Sequence, residues 1–127
     1  MLIAADARGN PDFRALLFGS KQAPLCVYAF DLLELQGKDI RTDPLVQRRA
    51  RLKALLTRAK CNVIRYSDSF NDPIALMAEC ERMGFEGIVS KRKDAPYRSG
   101  TRCGWIKTKC QGWKAANKDR GKFFEKA

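Results

Sequence analysis

Glu86, Lys107 and Lys109 are the residues of this chain whose types and spacing could hold a metal-bound phosphate. Lys107 and Lys109 alternate with β-favouring residues in Trp-Ile-Lys-Thr-Lys, residues 105–109. Successive side chains in a strand point to opposite faces, so both ammonium groups leave one face, about 7 Å apart. Such a face makes a poor core and a good phosphate clamp. Glu86 opens a second short run, Glu-Gly-Ile-Val-Ser-Lys, beside a glycine that lets another backbone or a ligand come close. One carboxylate near two lysines supplies what a metal-nucleotide needs: an oxygen ligand for Mg²⁺ and cations for phosphate oxygens. Residues 93–104 contain Pro96, Ser99 and Gly100 and predict a mobile loop between the two strands.

The elements that must position this hairpin are legible upstream. Residues 2–5 predict a strand ending in a turn over 7–10, and Pro11 opens a short helix to about Phe18. The run 24–33 predicts a strand closed by Gly37, with Tyr28, Phe30 and Leu32 on one face. A helix is expected over 44–59, with Asp43 as N-cap and Pro44 at the first position. Leu45, Leu52, Leu55, Leu56 and Ala59 form its buried stripe, leaving Arg48, Arg49, Arg51, Lys53 and Arg58 on the solvated faces. Residues 62–66 predict a strand, and 73–83 a packing helix capped by Asn71 or Asp72 and stopped by Gly84. The basic aromatic tail, 113–127, predicts a weak amphipathic helix, with Trp113 and Phe124 docked on the body.

The totals bound the reading. A chain of 127 residues, 45% hydrophobic, has room for one small folded domain. Lys and Arg number 25 against 14 Asp and Glu, a net charge of +11 that favours a polyanionic partner. Nucleic acid is the commonest such partner, although ribosomal or membrane-surface binding gives the same balance. No apolar run is long enough to span a bilayer and no signal pattern is present, so a cytoplasmic, non-membrane protein is expected. The five cysteines include no CxxC pair, and histidine is absent. Reduced thiols are therefore expected rather than a zinc site, and His-assisted nucleophiles are excluded.

The sequence 86–91 and Lys107-Thr108-Lys109 together resemble the fourth and fifth motifs of the covalent nucleotidyltransferases, and most of all bacterial ATP-dependent DNA ligases. Tyr97-Arg98-Ser99-Gly100 favours a DNA ligase over RNA ligases and capping enzymes, and Phe30-Asp31-Leu32-Leu33 resembles a further ligase element. The resemblance implies an α+β fold: antiparallel β-sheets with flanking helices, part of the DNA ligase/mRNA capping enzyme nucleotidyltransferase (ATP-grasp-like) domain. It assigns residues 1–112 to the adenylation domain, from near its third motif onward, with no OB-fold domain. It gives Lys107 and Lys109 contacts to the α-phosphate of ATP, Glu86 a Mg²⁺-binding role, and Phe30 and Val89 the two sides of adenine. Lys91 is assigned a DNA phosphate contact. The partner implied is nicked double-stranded DNA, sealed through AMP transfer.

Two family motifs have no counterpart. The nucleophilic Lys-x-Asp-Gly occurs nowhere in the 127 residues; Lys109-Cys-Gln-Gly112 and Lys118-Asp-Arg-Gly121 lack its aspartate. The Asp-Gly-Glu of the third motif is missing as well. The chain is thus expected not to self-adenylate alone, to be marginally stable, and to self-associate or pair with a chain supplying the remaining motifs. A non-enzymatic, basic DNA-binding module and a truncated gene product are the other readings.

Overall fold

The computed structural model describes residues 1–4 and 24–118. The expected turn at 7–10, the helix from Pro11, and Phe124 all lie outside the described residues. The chain divides into two compact units, Met1–Asp68 with Lys93–Arg98, and Ser69–Arg92 with Ser99–Ala127.

The first unit is built on a sheet in the order β1 (Leu2–Ala4), β2 (Leu25–Ala29) and β5 (Ile64–Tyr66). β1 pairs antiparallel with β2, whereas β2 and β5 run parallel, Val27 opposite Ile64. A parallel pair needs a long crossover, and helix α1 (Leu45–Ala59) supplies it. Between β2 and α1 lies a small hairpin, β3 (Glu34–Leu35) and β4 (Lys38–Asp39). Its turn residues, Gln36 and Gly37, have φ of 51° and 78°, the paired left-handed geometry of a tight hairpin turn. Arg41 forks onto the Asp39 carboxylate and, mainly through that hydrogen bond, lowers the Asp39 pKa to about 2.

Strand β2 stops four residues before the sequence expectation. Pairing ends at Ala29, where its carbonyl accepts the Ser67 N–H, so Phe30 and Leu32 lie past the ladder rather than alternating within it. Helix α1 also begins differently from the expectation. Pro44, not Asp43, is the N-cap residue, and no side chain caps the helix. The exposed donors of its first turn are instead met by backbone: Leu45 donates to Ala95 O (3.0 Å) and Val46 to Lys93 O (2.8 Å). Asp43 is drawn away to Arg51, 2.6 Å distant. The loop expected to be mobile is thus pinned along its first half, where Tyr97 N–H also donates to Arg41 O.

The expected buried stripe of α1 needs one correction. Leu45 and Leu52 are buried as expected, but Leu55 and Ala59 are exposed, and Arg48 occupies the buried position between the two leucines at 1% exposure. Spacing of three and four residues puts 45, 48 and 52 on one face whatever their chemistry. An arginine is tolerated there because its donors are met: two by the Asp31 carboxylate, at 2.9 and 3.0 Å, and one shared by the carbonyls of Asp43 and Ala95.

The second unit packs α2 (Pro73–Met83) against the hairpin β6 (Gly87–Ser90) and β7 (Ile106–Lys109). Asp72, one of the two cap candidates in the sequence, caps α2 by accepting from the N–H groups of Ile74 and Ala75. Gly84 ends it with φ of 73°, and Phe85 N–H returns to Cys80 O. Cys80 and Cys110 are buried between these elements, Cys110 Sγ lying 3.6 Å from Met77 Sδ. Burial, with Glu79 and Glu81 near Cys80 and Glu81 near Cys110, pushes both thiol pKa values up, which disfavours the reactive thiolate. A short helix α3 (Gln111–Ala116) follows, its first N–H groups, from Gln111 and Gly112, donated to the Glu81 carboxylate.

Candidate functional site

The β6–β7 hairpin sets the geometry of the lysines. Its register pairs Gly87 with Lys109, Val89 with Lys107, and Ser90 with Ile106. Directly opposed residues of an antiparallel pair share a face, so Gly87, Val89, Lys107 and Lys109 stand on one side. Continuing the register brings Lys91 opposite Trp105. Gly87 is required at its position: a Cβ there would fall 2.1 Å from the Thr108 carbonyl oxygen. The close approach foreseen for this glycine is therefore to the β7 backbone. That tight pairing, extended by Cys110 N–H donating to Glu86 O at 2.8 Å, sets Glu86 beside the lysine row.

Glu86 and Lys107 are brought together, with Oε1 and Nζ 2.6 Å apart. Both side chains are solvent-accessible, 36% and 55% exposed, so their pairing is weak and can be exchanged for a ligand. Lys109 Nζ lies 5.1 Å from the centroid of the Trp113 ring, and Lys91 Nζ lies 4.1 Å from that of Trp105. An aromatic face attracts a cation without cancelling its charge. Three ammonium groups and one carboxylate therefore converge on the hairpin, and the tryptophans restrict where two of them sit. The resulting surface suits a polyanion with closely spaced negative oxygens.

Val89 is half exposed on this face, an apolar spot between lysines. Phe30 belongs to the first unit, at the exit of β2, and is partly buried. Sequence reasoning missed Trp105 and Trp113 as partners of the lysines. Lys109 with Trp113 needed the path of the chain from β7 into α3, and Lys91 with Trp105 needed the hairpin register.

For a divalent ion, the donor set decides the fit. Among the described residues, no three Asp, Glu or Cys side chains converge on a point. Mg²⁺ does not ask for that; it uses one or two carboxylates and completes its octahedron with water and substrate phosphates. Glu86, accessible and acidic beside a phosphate-ready row, fits that mode. No helix among the described residues is long and apolar enough to cross a membrane.

The architecture is that of part of a DNA ligase's ligase domain. It is similar to mycobacterial DNA ligase D complexed with ATP and MES (TM-score 0.72, 28% identity, 85% of this chain and 36% of that one). The ligase domain of LigD from M. tuberculosis gives a TM-score of 0.71 at the same identity, over 35% of its length. In sequence, the chain is 40% identical over 114 residues to the multifunctional non-homologous end joining protein LigD of Pseudomonas aeruginosa, covering 87% of this chain. It is 41% identical over 90 residues to a probable DNA ligase of Dictyoglomus turgidum, covering 68% of this chain. Residues 12–109 match the model of the ATP dependent DNA ligase domain, and the chain belongs to that family. It spans 14% of the Pseudomonas protein and 16% of the Dictyoglomus one.

Proposed function

We propose that this chain contributes the phosphate-gripping part of an ATP-dependent DNA ligase, acting in nick sealing through AMP transfer. The observation that carries the reading is the β6–β7 face, where Lys107 and Lys109 stand in register beside Glu86. In this reading Lys107 and Lys109 bind the α-phosphate oxygens of ATP and stabilise the charge that develops there. Glu86 trades its ion pair with Lys107 for Mg²⁺, which supplies Lewis-acid polarisation of the phosphate when bound. Phe30 and Val89 contact adenine, and Lys91, steadied on Trp105, contacts a phosphate of nicked double-stranded DNA. Since the 127 residues contain no Lys-x-Asp-Gly, the lysine that attacks ATP comes from outside them, on a complementing chain or further sequence.

The test uses ATP with Mg²⁺. The chain is expected to bind the nucleotide without forming a covalent AMP adduct. Lys107→Ala and Lys109→Ala should each weaken binding about tenfold, the scale of one charge-assisted phosphate contact. Unchanged affinity in both variants refutes the phosphate assignment, and a covalent adduct on the isolated chain refutes the assignment of the nucleophile. A second reading, a basic DNA-binding module without chemistry, is favoured by the net charge of +11. It requires DNA affinity that ATP does not compete with.

A further inference from the structure

The parallel ladder of the first unit ends abruptly, and one side chain closes it. Its last backbone bond runs from Ser67 N–H to Ala29 O at 2.9 Å. The next carbonyls along the two strands are those of Phe30 and Ser67. Arg49 donates to both, with Nη1 2.7 Å from Phe30 O and Nη2 2.5 Å from Ser67 O. Its guanidinium is held over the Tyr66 ring, 4.8 Å from the centroid. Flat, delocalised and carrying paired donors, a guanidinium can stack and bridge two acceptors at once; an ammonium cannot. The neighbouring Arg48 fixes the next residue, Asp31, through both carboxylate oxygens. Two consecutive residues of α1 thus hold two consecutive residues at the exit of β2, one by its carbonyl and one by its side chain.

We infer that Arg49 is a positioning residue for base recognition: by bridging the Phe30 and Ser67 carbonyls just past the end of the ladder, it fixes the backbone from which the Phe30 ring meets a purine. The inference rests on the adenine role proposed for Phe30 and deepens it. Arg49 does not touch the nucleotide. Its effect is confined to the contribution of the base, and contacts to phosphate are left unchanged.

Two probes separate these contributions: AMP, and ribose 5-phosphate, which lacks the base. Both are titrated into the full chain by calorimetry, and the ratio of their dissociation constants reports the base. The unaltered chain is expected to prefer AMP about tenfold, in the range of stacking on an aromatic ring. Phe30→Leu should collapse the ratio to near one. Arg49→Lys keeps the positive charge and loses the two-carbonyl bridge; the ratio should drop several-fold with ribose 5-phosphate affinity unchanged. A general loss of structure would weaken both probes together, and cooperative melting of Arg49→Lys checks that the unit is folded. If Phe30→Leu collapses the ratio and Arg49→Lys leaves it intact, the positioning role is overturned and the stacking role stands. If the unaltered chain shows no preference, or Phe30→Leu leaves it untouched, the adenine assignment falls and the inference with it.

Discussion

Replacing Arg48 by methionine removes a buried cation while keeping most of its volume, and the structure sets the cost. The Asp31 carboxylate, 6% exposed, would lose both donors from Arg48 and, among the described residues, keep the N–H of Leu32 at 2.8 Å. The Asp43 and Ala95 carbonyls would each lose a donor as well. Breaking a buried ion pair from one side costs about 3–5 kcal/mol, because a charge is left without compensation. Typical domain stability is roughly 5–15 kcal/mol, so at the low end of that range the loss would unfold a substantial share of molecules and at the high end it would lower the unfolding midpoint. Urea denaturation measures it as a lower midpoint at unchanged slope. The double variant Arg48→Met/Asp31→Leu then decides the cause. If the cost lies in the orphaned carboxylate, the second substitution should restore most of the loss, giving a coupling of at least about 2 kcal/mol. A single variant within about 1 kcal/mol of the parent, or strictly additive effects, would refute the claim that this pair organises the first unit.

Other expectations follow from local geometry. Gly87→Ala places a methyl 2.1 Å from the Thr108 carbonyl oxygen, so β6 and β7 must part; a loss of about 1–3 kcal/mol in thermal unfolding is expected, with weaker ATP binding through Lys107 and Lys109. Cys61 is exposed, and the N–H groups of Ile64 and then Val63 lower its thiol pKa, while burial raises those of Cys80 and Cys110. The thiolate is the reactive form, so Cys61 should alkylate faster than these two in the folded chain and reach half its maximal rate at a lower pH than a free cysteine. Mass-spectrometric mapping of iodoacetamide adducts across a pH series measures the order; labelling of Cys110 before Cys61 would contradict it.

What the sequence could reveal followed from which interactions are local. Helix α2 was legible at both ends because its cap and its stop, Asp72 and Gly84, act on their own neighbours. The hairpin face with Lys107 and Lys109 was legible because strand alternation needs no partner to be known. The start of α1 was not, since its first N–H groups are met by carbonyls of Lys93 and Ala95, some 50 residues away in sequence. Local rules then assign the cap to the nearest acidic residue, Asp43, although Arg51 takes its carboxylate. The same blindness placed Arg48 and Arg49 at the surface. Helical periodicity counts position 48 as inward, but a charge there is credible only once Asp31 is known to reach it, and Asp31 sits in a stretch that reads as strand. The arginines and the end of β2 are therefore one problem with one answer. The carbonyl just past the ladder is met by Arg49, nineteen residues further on, and the carboxylate beside it by the buried Arg48, seventeen further on, so neither partner is visible in its own local sequence.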